Sequence, residues 1–563
     1  MKTSHLAAVT IVCLTLSSLF VFAPRGATFC SDPVRGTPKG DGSAEHPWGT
    51  IEAVVQARLL QLCDRRGKEN NQEVTESIFN EKFTALAAFS DTKFGQVHPA
   101  TKRPRLESSN TAGNRKTRLS AGPLRGSKIS PRYFTDESGK AVYLTGSHTW
   151  ANLQDIGITN PPPAFDFGAY LDFLERHNHN FVRLWRWEFP QWTEKKNQRA
   201  FYCVPQPWLR TGPSQALDGQ PKFDLEKFDD AYFKRLRERT EAAAKRGIYV
   251  SIMLFEGWGL RFVPEGGKDH PFHPANNVNH TESELNENFK GIDLFTLKSP
   301  KLVAFQEAYV RKVIDTINDL DNVLFEIANE SDFSTTDWQC HMIRFIKAYE
   351  STKPRQHPVG MTSIGYGVDD LDRLLKSPAD WISPNPDHFD YKNNPPAADG
   401  TKVIILDTDH LWGVGGGVPW VWKSFLRGHN PIWMDPFDTG SVWEPTPADA
   451  EAVRNNLGHT RRFAERMNLA AMKPRTEIAS TSYCLANPGV EYLIYQPKPD
   501  EAFTVELTAK SYAYEWFNPA TGKTAGEGRV ENADGTQTFK APFDQPAVLY
   551  IKVEESFSTN FSQ

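Results

Sequence analysis

The chain has 563 residues, too many for one ordinary domain, and two or three units are the expectation. Lys and Arg total 64 against 69 Asp and Glu, a formal net charge of −5 that offers no general attraction to nucleic acid or an anionic membrane. Fifteen Trp and sixteen Tyr stand out instead, since flat rings with polar edges suit the faces of sugars.

Residues 1–27 read as a secretory signal peptide: Lys2 supplies the positive start, Leu6 to Phe22 is largely apolar, and small residues follow at Ala23 and Ala27. About 17 apolar residues is marginal for a bilayer span, and Thr and Ser interrupt the run, so cleavage and a secreted, extracellular or periplasmic protein are expected. No later segment is apolar enough to span, so no membrane span is expected after cleavage. Five cysteines then remain, at 30, 63, 203, 340 and 484. Their wide spacing fits no zinc pattern and their odd number leaves at least one unpaired. A Cys30–Cys63 bridge is open, and buried thiols are expected for the others.

Residues 28–63 contain Gly40-Asp-Gly-Ser-Ala-Glu-His-Pro-Trp-Gly-Thr-Ile-Glu-Ala-Val-Val55. The stretch resembles the opening coil of secreted parallel β-helix proteins, without the repeats that would follow, and reads as a remnant or small cap. Residues 64–127 are polar and rich in Lys, Arg, Asn, Ser and Thr, which predicts a disordered linker.

From Tyr133 short apolar runs alternate with helical patterns, the signature of βαβ units. Strands are expected at Val142–Thr145, Phe181–Trp185, Tyr249–Leu254, Val323–Ile327, Pro358–Thr362, Trp381–Ser383, Lys402–Leu406 and Pro431–Met434. Apolar residues at three- and four-residue spacing predict helices over Phe167–His177, Phe233–Arg246 and Leu302–Leu320. Eight such strands predict an α/β fold, a (β/α)8 TIM barrel over residues 128–470. The open doubly wound sheet is disfavoured because no Gly-rich phosphate loop follows the first strand. Beyond it, over 471–555, alternating runs at Tyr492, Phe503, Tyr512 and Ala547 separated by Pro, Gly and Asp predict a small antiparallel β-sandwich.

Barrel enzymes carry their chemistry at the C-terminal ends of the strands. Read there, the sequence offers His148 and Trp150; Arg183, Trp185 and Arg186; Glu256 and Trp258; Asn329 and Glu330; His388; Asp407, Asp409 and His410; and Trp433 with Asp435. Charges in such places must pair with one another or with substrate, because leaving one unpaired and buried costs on the order of several kcal/mol.

The ending Phe325-Glu-Ile-Ala-Asn-Glu330 resembles the Asn-Glu signature of clan A glycoside hydrolases. Tyr133-Phe-Thr-Asp, Leu144-Thr-Gly-Ser-His-Thr-Trp-Ala-Asn and Arg183-Leu-Trp-Arg-Trp are similar to a cellulase-like branch whose C-terminal sandwich is often labelled collagen-binding, a label these residues do not themselves support. The resemblance spans roughly residues 128–553. It implies that Glu330 is the acid/base, that Asn329 binds the sugar 2-hydroxyl, and that a second carboxylate follows the seventh strand. That position is usually Glu in the family; here the segment is Leu406-Asp-Thr-Asp-His410, so Asp409 or Asp407 must serve. A retaining mechanism needs Glu330 protonated and its partner ionised, with Arg183 beneath to hold the partner's charge. Glu326, of the same strand parity, is expected to face the barrel interior as a hydrogen-bonding spacer.

The reading is therefore a secreted glycosidase on a poly- or oligosaccharide. Asn329, Arg183, His148, Trp150, Trp258, His388 and Trp433 are its substrate-binding candidates, and no metal or cofactor is expected. Two rivals stay open. A metal-dependent barrel hydrolase could gather His148, His388, Asp407, Asp409 and His410 around zinc, although one His after the first strand falls short of the usual pair. A non-catalytic carbohydrate-binding or adhesion protein could keep the barrel as a platform.

Overall fold

The computed structural model describes residues 122–554 except 194–197, 264–266, 282–283, 286–289, 363–369, 387–389 and 438–445, together with the dipeptides 13–14 and 29–30. The chain divides into two units, 1–112 and 113–563. In the first, Cys13–Leu14 pairs antiparallel with Phe29–Cys30. The expected signal peptide, the β-helix-like fragment and nearly all of the linker otherwise lie outside the described residues, as does His388.

The second unit is built on eight parallel strands: β1 (Gly146–His148), β2 (Phe181–Leu184), β3 (Tyr249–Glu256), β4 (Val323–Asn329), β5 (Val359–Thr362), β6 (Trp381–Ser383), β7 (Val403–Asp407) and β8 (Asn430–Met434). They pair in that order, with β8 beside β1. Between β1 and β2 the Asn180 amide N–H donates to the Thr145 carbonyl at 3.0 Å. The Asn180 side chain adds bonds to Thr145 N and Tyr143 O, stitching the ring shut. Every residue of these strands is buried, as expected where helices cover one face and the barrel interior fills the other.

Helices α1 (Phe167–Arg176), α2 (Asp230–Ala244), α3 (Pro300–Ile317), α4 (Thr336–Glu350), α5 (Asp370–Lys376), α6 (Val418–Leu426) and α7 (Ala450–Arg466) flank the ring. Local chemistry sets their starts. Asp166, Asp229 and Ser299 each accept a first-turn amide, and Pro300 follows Ser299 where its missing N–H costs nothing. The amphipathic stripe of α3 buries Leu302, Val303, Tyr309, Val310, Val313, Ile314 and Ile317.

The expected first strand, 142–145, is displaced. Ala141–Val142 instead joins Arg125–Gly126 and Phe134–Thr135 in a three-stranded antiparallel sheet, and the barrel strand begins four residues later. Leu124 and Phe134 pack with Leu144, Phe181, Tyr249, Leu324, Trp381, Val403, Ile405 and Ile432, plugging the ring where its strands begin. Periodicity could not separate the two runs, because Val142 to Leu144 is as apolar as a barrel strand. Gly360 shows how tightly the ring is filled: a Cβ there would lie 1.9 Å from the Trp381 ring.

The C-terminal segment is a six-stranded antiparallel sheet containing Cys484–Asn487, Glu491–Gln496, Phe503–Asn518, Lys523–Phe539 and Ala547–Val553. Its 16-residue strand Phe503–Asn518 does not run straight. The rings of Phe503 and Trp516 are 5.9 Å apart, whereas thirteen residues of straight strand would span ~43 Å. Register shifts between Leu507 and Tyr512 mark the fold, so one continuous sheet covers its own second face. On the outer face Tyr483, Leu493, Tyr495, Phe517 and Tyr550 pack on Trp422 and Phe425 of α6 and Phe463 of α7.

Candidate active site

At the open end of the barrel one guanidinium organises three carboxylates. Arg183 of β2, buried, donates from Nε to Glu326 Oε2 at 2.8 Å and from Nη2 to Glu326 Oε1. Its Nη1 reaches Asp407 Oδ2 at 2.8 Å and Asp409 Oδ2 at 3.1 Å, and Nη2 also donates to Asn329 Oδ1 at 2.7 Å. The expected spacer role of Glu326 thus takes concrete form as the fork that fixes Arg183 from below. One cation cannot neutralise three carboxylates, so protons must be distributed among them by their remaining donors.

Asp407 has those donors. Its Oδ1 accepts from His148 Nε2 at 2.9 Å and from the Asp409 amide at 2.9 Å. Burial alone would raise its pKa, but His148 and Arg183 outweigh that and hold the carboxyl well below the usual range. Asp409 sits one short step further out. Arg183 holds its Oδ2, while Oδ1 has no partner among the described residues. Burial pushes Asp409 up to about 6; Arg183 opposes the push and the Asp407 charge adds to it.

Glu330 directly follows β4. Among the described residues no hydrogen bond or ion pair engages its carboxyl, and its pKa is raised well above the ordinary value by burial and by the charge of Asp409. Its backbone is left-handed, φ +39°. A non-glycine residue held there costs about 1–2 kcal/mol. Asn329 beneath it is buried: Oδ1 accepts from Arg183 and from His410 Nε2 (3.1 Å), and Nδ2 points one N–H to Glu256 Oε1 at 3.5 Å, its second N–H having no partner among the described residues. With Nε2 donating, His410 Nδ1 accepts from Ser383 Oγ at 2.7 Å, and burial together with Arg183 drives the ring down to about 3, neutral at any working pH.

The other candidates separate by exposure. His148 is fully buried, stacked 5.9 Å from Trp185, and acts on Asp407 rather than presenting itself to a ligand. Trp433 is also fully buried, its Nε1 on the Gly415 carbonyl and Arg454 over its ring, so it packs as a core ring and offers no open face. Trp150 is nearly buried, at 8% exposure, among core residues. Trp258 is half-buried, edge-on to Trp187 at 6.2 Å, and remains available as a wall. His388 lies outside the described residues.

Sequence reading named Arg186 and Glu256 but missed Glu188 and His270, which join them in a second charged layer. Glu188 accepts from Arg186 (2.9 Å), His270 Nε2 (3.0 Å) and the Glu256 amide (2.9 Å). Glu256 caps its own turn, accepting the Trp258 and Gly259 amides, yet burial and the Glu188 charge push it up to about 8. The alternation Arg183-Leu-Trp-Arg-Trp-Glu188 was the available signal.

Asp407, Asp409 and His410 offer ligand atoms within 4.8 Å of one another, the geometry a metal ion would want. Arg183 already stands between both carboxylates, and both His410 nitrogens are committed to Ser383 and Asn329. A cation added there would have to displace a bonded guanidinium, so the donor set fits a metal poorly.

Comparison with known proteins adds the following. Residues 173–379 match the family described as "Domain of unknown function (DUF6298)". That span runs from within α1 past β5 and includes Arg183, Glu256, Asn329 and Glu330, but stops short of β7. No curated protein matches the chain. Its fold is similar to a structure described as "Glycoside hydrolase" (13% identity, TM-score 0.50, covering 77% of this chain and 97% of that one). It is also similar to a Bacteroides vulgatus protein provisionally described as a glycoside hydrolase (14% identity, TM-score 0.51, 79% and 84%). At such identities the likeness establishes the barrel with its appended sheet, not the chemistry.

Proposed function

We propose that the protein is a glycoside hydrolase that cleaves O-glycosidic bonds of a poly- or oligosaccharide, with Glu330 as acid/base and Asp409 as its carboxylate partner. The observation that carries this is the contrast between Glu330, raised and without a side-chain partner among the described residues, and Asp409, held by Arg183 with Oδ1 unengaged by any described residue. The raised carboxyl favours the role of proton donor, and Asp409, pushed up only to about 6, that of the anion. Protonated Glu330 delivers its proton to the leaving oxygen while Asp409 Oδ1 attacks the anomeric carbon. Glu330, now ionised, then takes a proton from the water that releases the sugar. Asp407 is the weaker candidate, because both its oxygens are already bonded. Asn329, oriented by Arg183 and His410, is placed to meet a hydroxyl beside the reacting carbon.

The chain's apolar start and the aromatic content fit a secreted enzyme of polysaccharide breakdown. N-terminal sequencing of protein recovered from the native host's medium tests the secretion; no helix among the described residues is long and apolar enough to cross a membrane. The decisive test of the chemistry is Glu330→Gln beside wild type on a glycan panel. The variant should lose roughly 10²–10⁴ in kcat, the usual worth of a general acid. Unchanged activity would overturn the assignment, and a variant that binds glycans beside an inactive wild type would point to the adhesion reading. Anomeric product analysis by NMR should give net retention; inversion would remove Asp409 as nucleophile.

A further inference from the structure

We propose that the turn Gly257–Arg261 is a clamp that holds Glu330 in its left-handed backbone conformation, with Arg261 as the positioning residue at its centre. The inference rests on the function proposed above. Three successive carbonyls at the end of β4 are taken by this one turn. The Gly257 amide donates to Asn329 O at 2.7 Å, and Arg261 Nη1 donates to Glu330 O at 3.0 Å and Ser331 O at 3.3 Å. Gly257 makes the approach feasible: a Cβ there would stand 2.7 Å from Asn329 O and 2.8 Å from Ser331 Cα.

The turn is itself anchored from behind. Glu256 binds the Trp258 and Gly259 amides, Glu188 binds the Glu256 amide, and Phe189 packs so closely that a Cβ on Gly259 would lie 2.5 Å from its ring. A rigid support on one side and three bonded carbonyls on the other explain why residue 330 stays at φ +39° although Glu gains nothing there intrinsically. Released from the clamp, the backbone would relax toward negative φ and carry the Cα–Cβ direction of Glu330 away from the reacting bond.

Arg261 also acts through its charge. Among the described residues, the charged groups facing Glu330 are Asp409 from the end of β7, Glu256 and Arg261 from the β3 turn, and Arg183 from β2. Burial and Asp409 raise its pKa, with Glu256 adding to them, whereas Arg261 and Arg183 lower it. Removing Arg261 therefore favours the protonated acid, and the pH at which the acid is lost moves up.

The test compares wild type, Arg261→Met, Arg261→Lys and Gly257→Ala in kcat, KM and pH dependence on a substrate the wild type cleaves, with crystal structures of wild type and Arg261→Met. Arg261→Met should lose about ten- to a hundredfold in kcat with KM nearly unchanged, its basic limb shifted up by about half a pH unit or more. Arg261→Lys should keep the wild-type limb and recover part of kcat; Gly257→Ala should lose kcat without the upward shift. If the Met variant does not fold, Arg261→Gln carries the same expectation. Wild-type kcat in Arg261→Met, or a fall in kcat with the limb unmoved, overturns the inference; so does a rise in KM alone, which would mark a substrate contact. The crystal structures decide it without any activity: φ at residue 330 should be positive in wild type and relaxed in the variant, and a negative wild-type value sinks the clamp. An active Glu330→Gln would overturn the assigned chemistry while leaving that structural arm intact.

Discussion

The ends of β4 and β7 deliver their carboxylates to one site by opposite means. At β7 the carboxyl that matters is defined by donors: Asp407 takes His148, Arg183 and a backbone amide, and is thereby fixed as an anion, leaving Asp409 two residues on with a single N–H of the shared guanidinium. At β4 the carboxyl is defined by the lack of them among the described residues, since Glu330 is desolvated and faces the negative charge of Asp409. The same residue chemistry thus yields an acid or a base according to how many N–H groups reach it. Carboxylates at the site outnumber the guanidinium that serves them, and Glu330 is the one that no donor reaches among the described residues.

Removing the shared cation should break the comparison most severely. Arg183→Met strands Glu326, Asp407 and Asp409 together, and a destabilisation of about 3–5 kcal/mol with loss of activity is expected, read by denaturant unfolding. Exchanging the two aspartates' roles should sharpen it. Asp409→Asn should fold normally and lose about 10³-fold or more in kcat, whereas Asp407→Asn should also lower the unfolding midpoint, because it loosens His148 and Arg183 at once.

The pH dependence separates the pair further. Asp409 has its folded pKa raised from 3.8 to about 6, so the stability it contributes is present below 3.8 and lost as pH rises through about 6. Asp407 is depressed, so its contribution is present above 3.8 and lost as pH falls below that value. Stability of Asp409→Asn relative to wild type should therefore improve between about pH 4 and 6, measured by thermal unfolding across that range. The activity profile of wild type should show an acidic limb near 6, from ionisation of the partner carboxyl, and a basic limb from Glu330. The smallest effect is expected at the rim: Trp258→Ala should raise KM by a few-fold to about tenfold and leave kcat nearly unchanged, as loss of a stacking wall does.

Much of this was legible in the chain. Alternating apolar runs and helical stripes placed β2 to β8 within a few residues, because strand and helix periods are local properties of the sequence. The C-terminal strands at 503–507 and 512–517 were visible, but not that they are one strand folded on itself, since a bend is set by what the two halves pack against. Position at strand ends singled out Arg183, Asn329, Glu330, Asp407 and Asp409, and shared parity with Glu330 turned Glu326 toward the barrel interior. Burial was not legible: His148 and Trp433 stand at strand ends as expected, and both are fully buried, because neighbouring strands and the helix–loop layer close over them.

Sequence alone determined the barrel, the appended antiparallel sheet and most of the ionisable groups named at the strand ends. Those follow from periodicity and from where polar residues interrupt apolar strands. Only the tertiary structure decided which of two aspartates is spoken for, that Glu330 sits in a left-handed backbone conformation, and that residues from β3 hold it there. The reason is physical: protonation and backbone strain depend on donors and contacts supplied by segments distant in the chain, and their distances are not written in any local pattern.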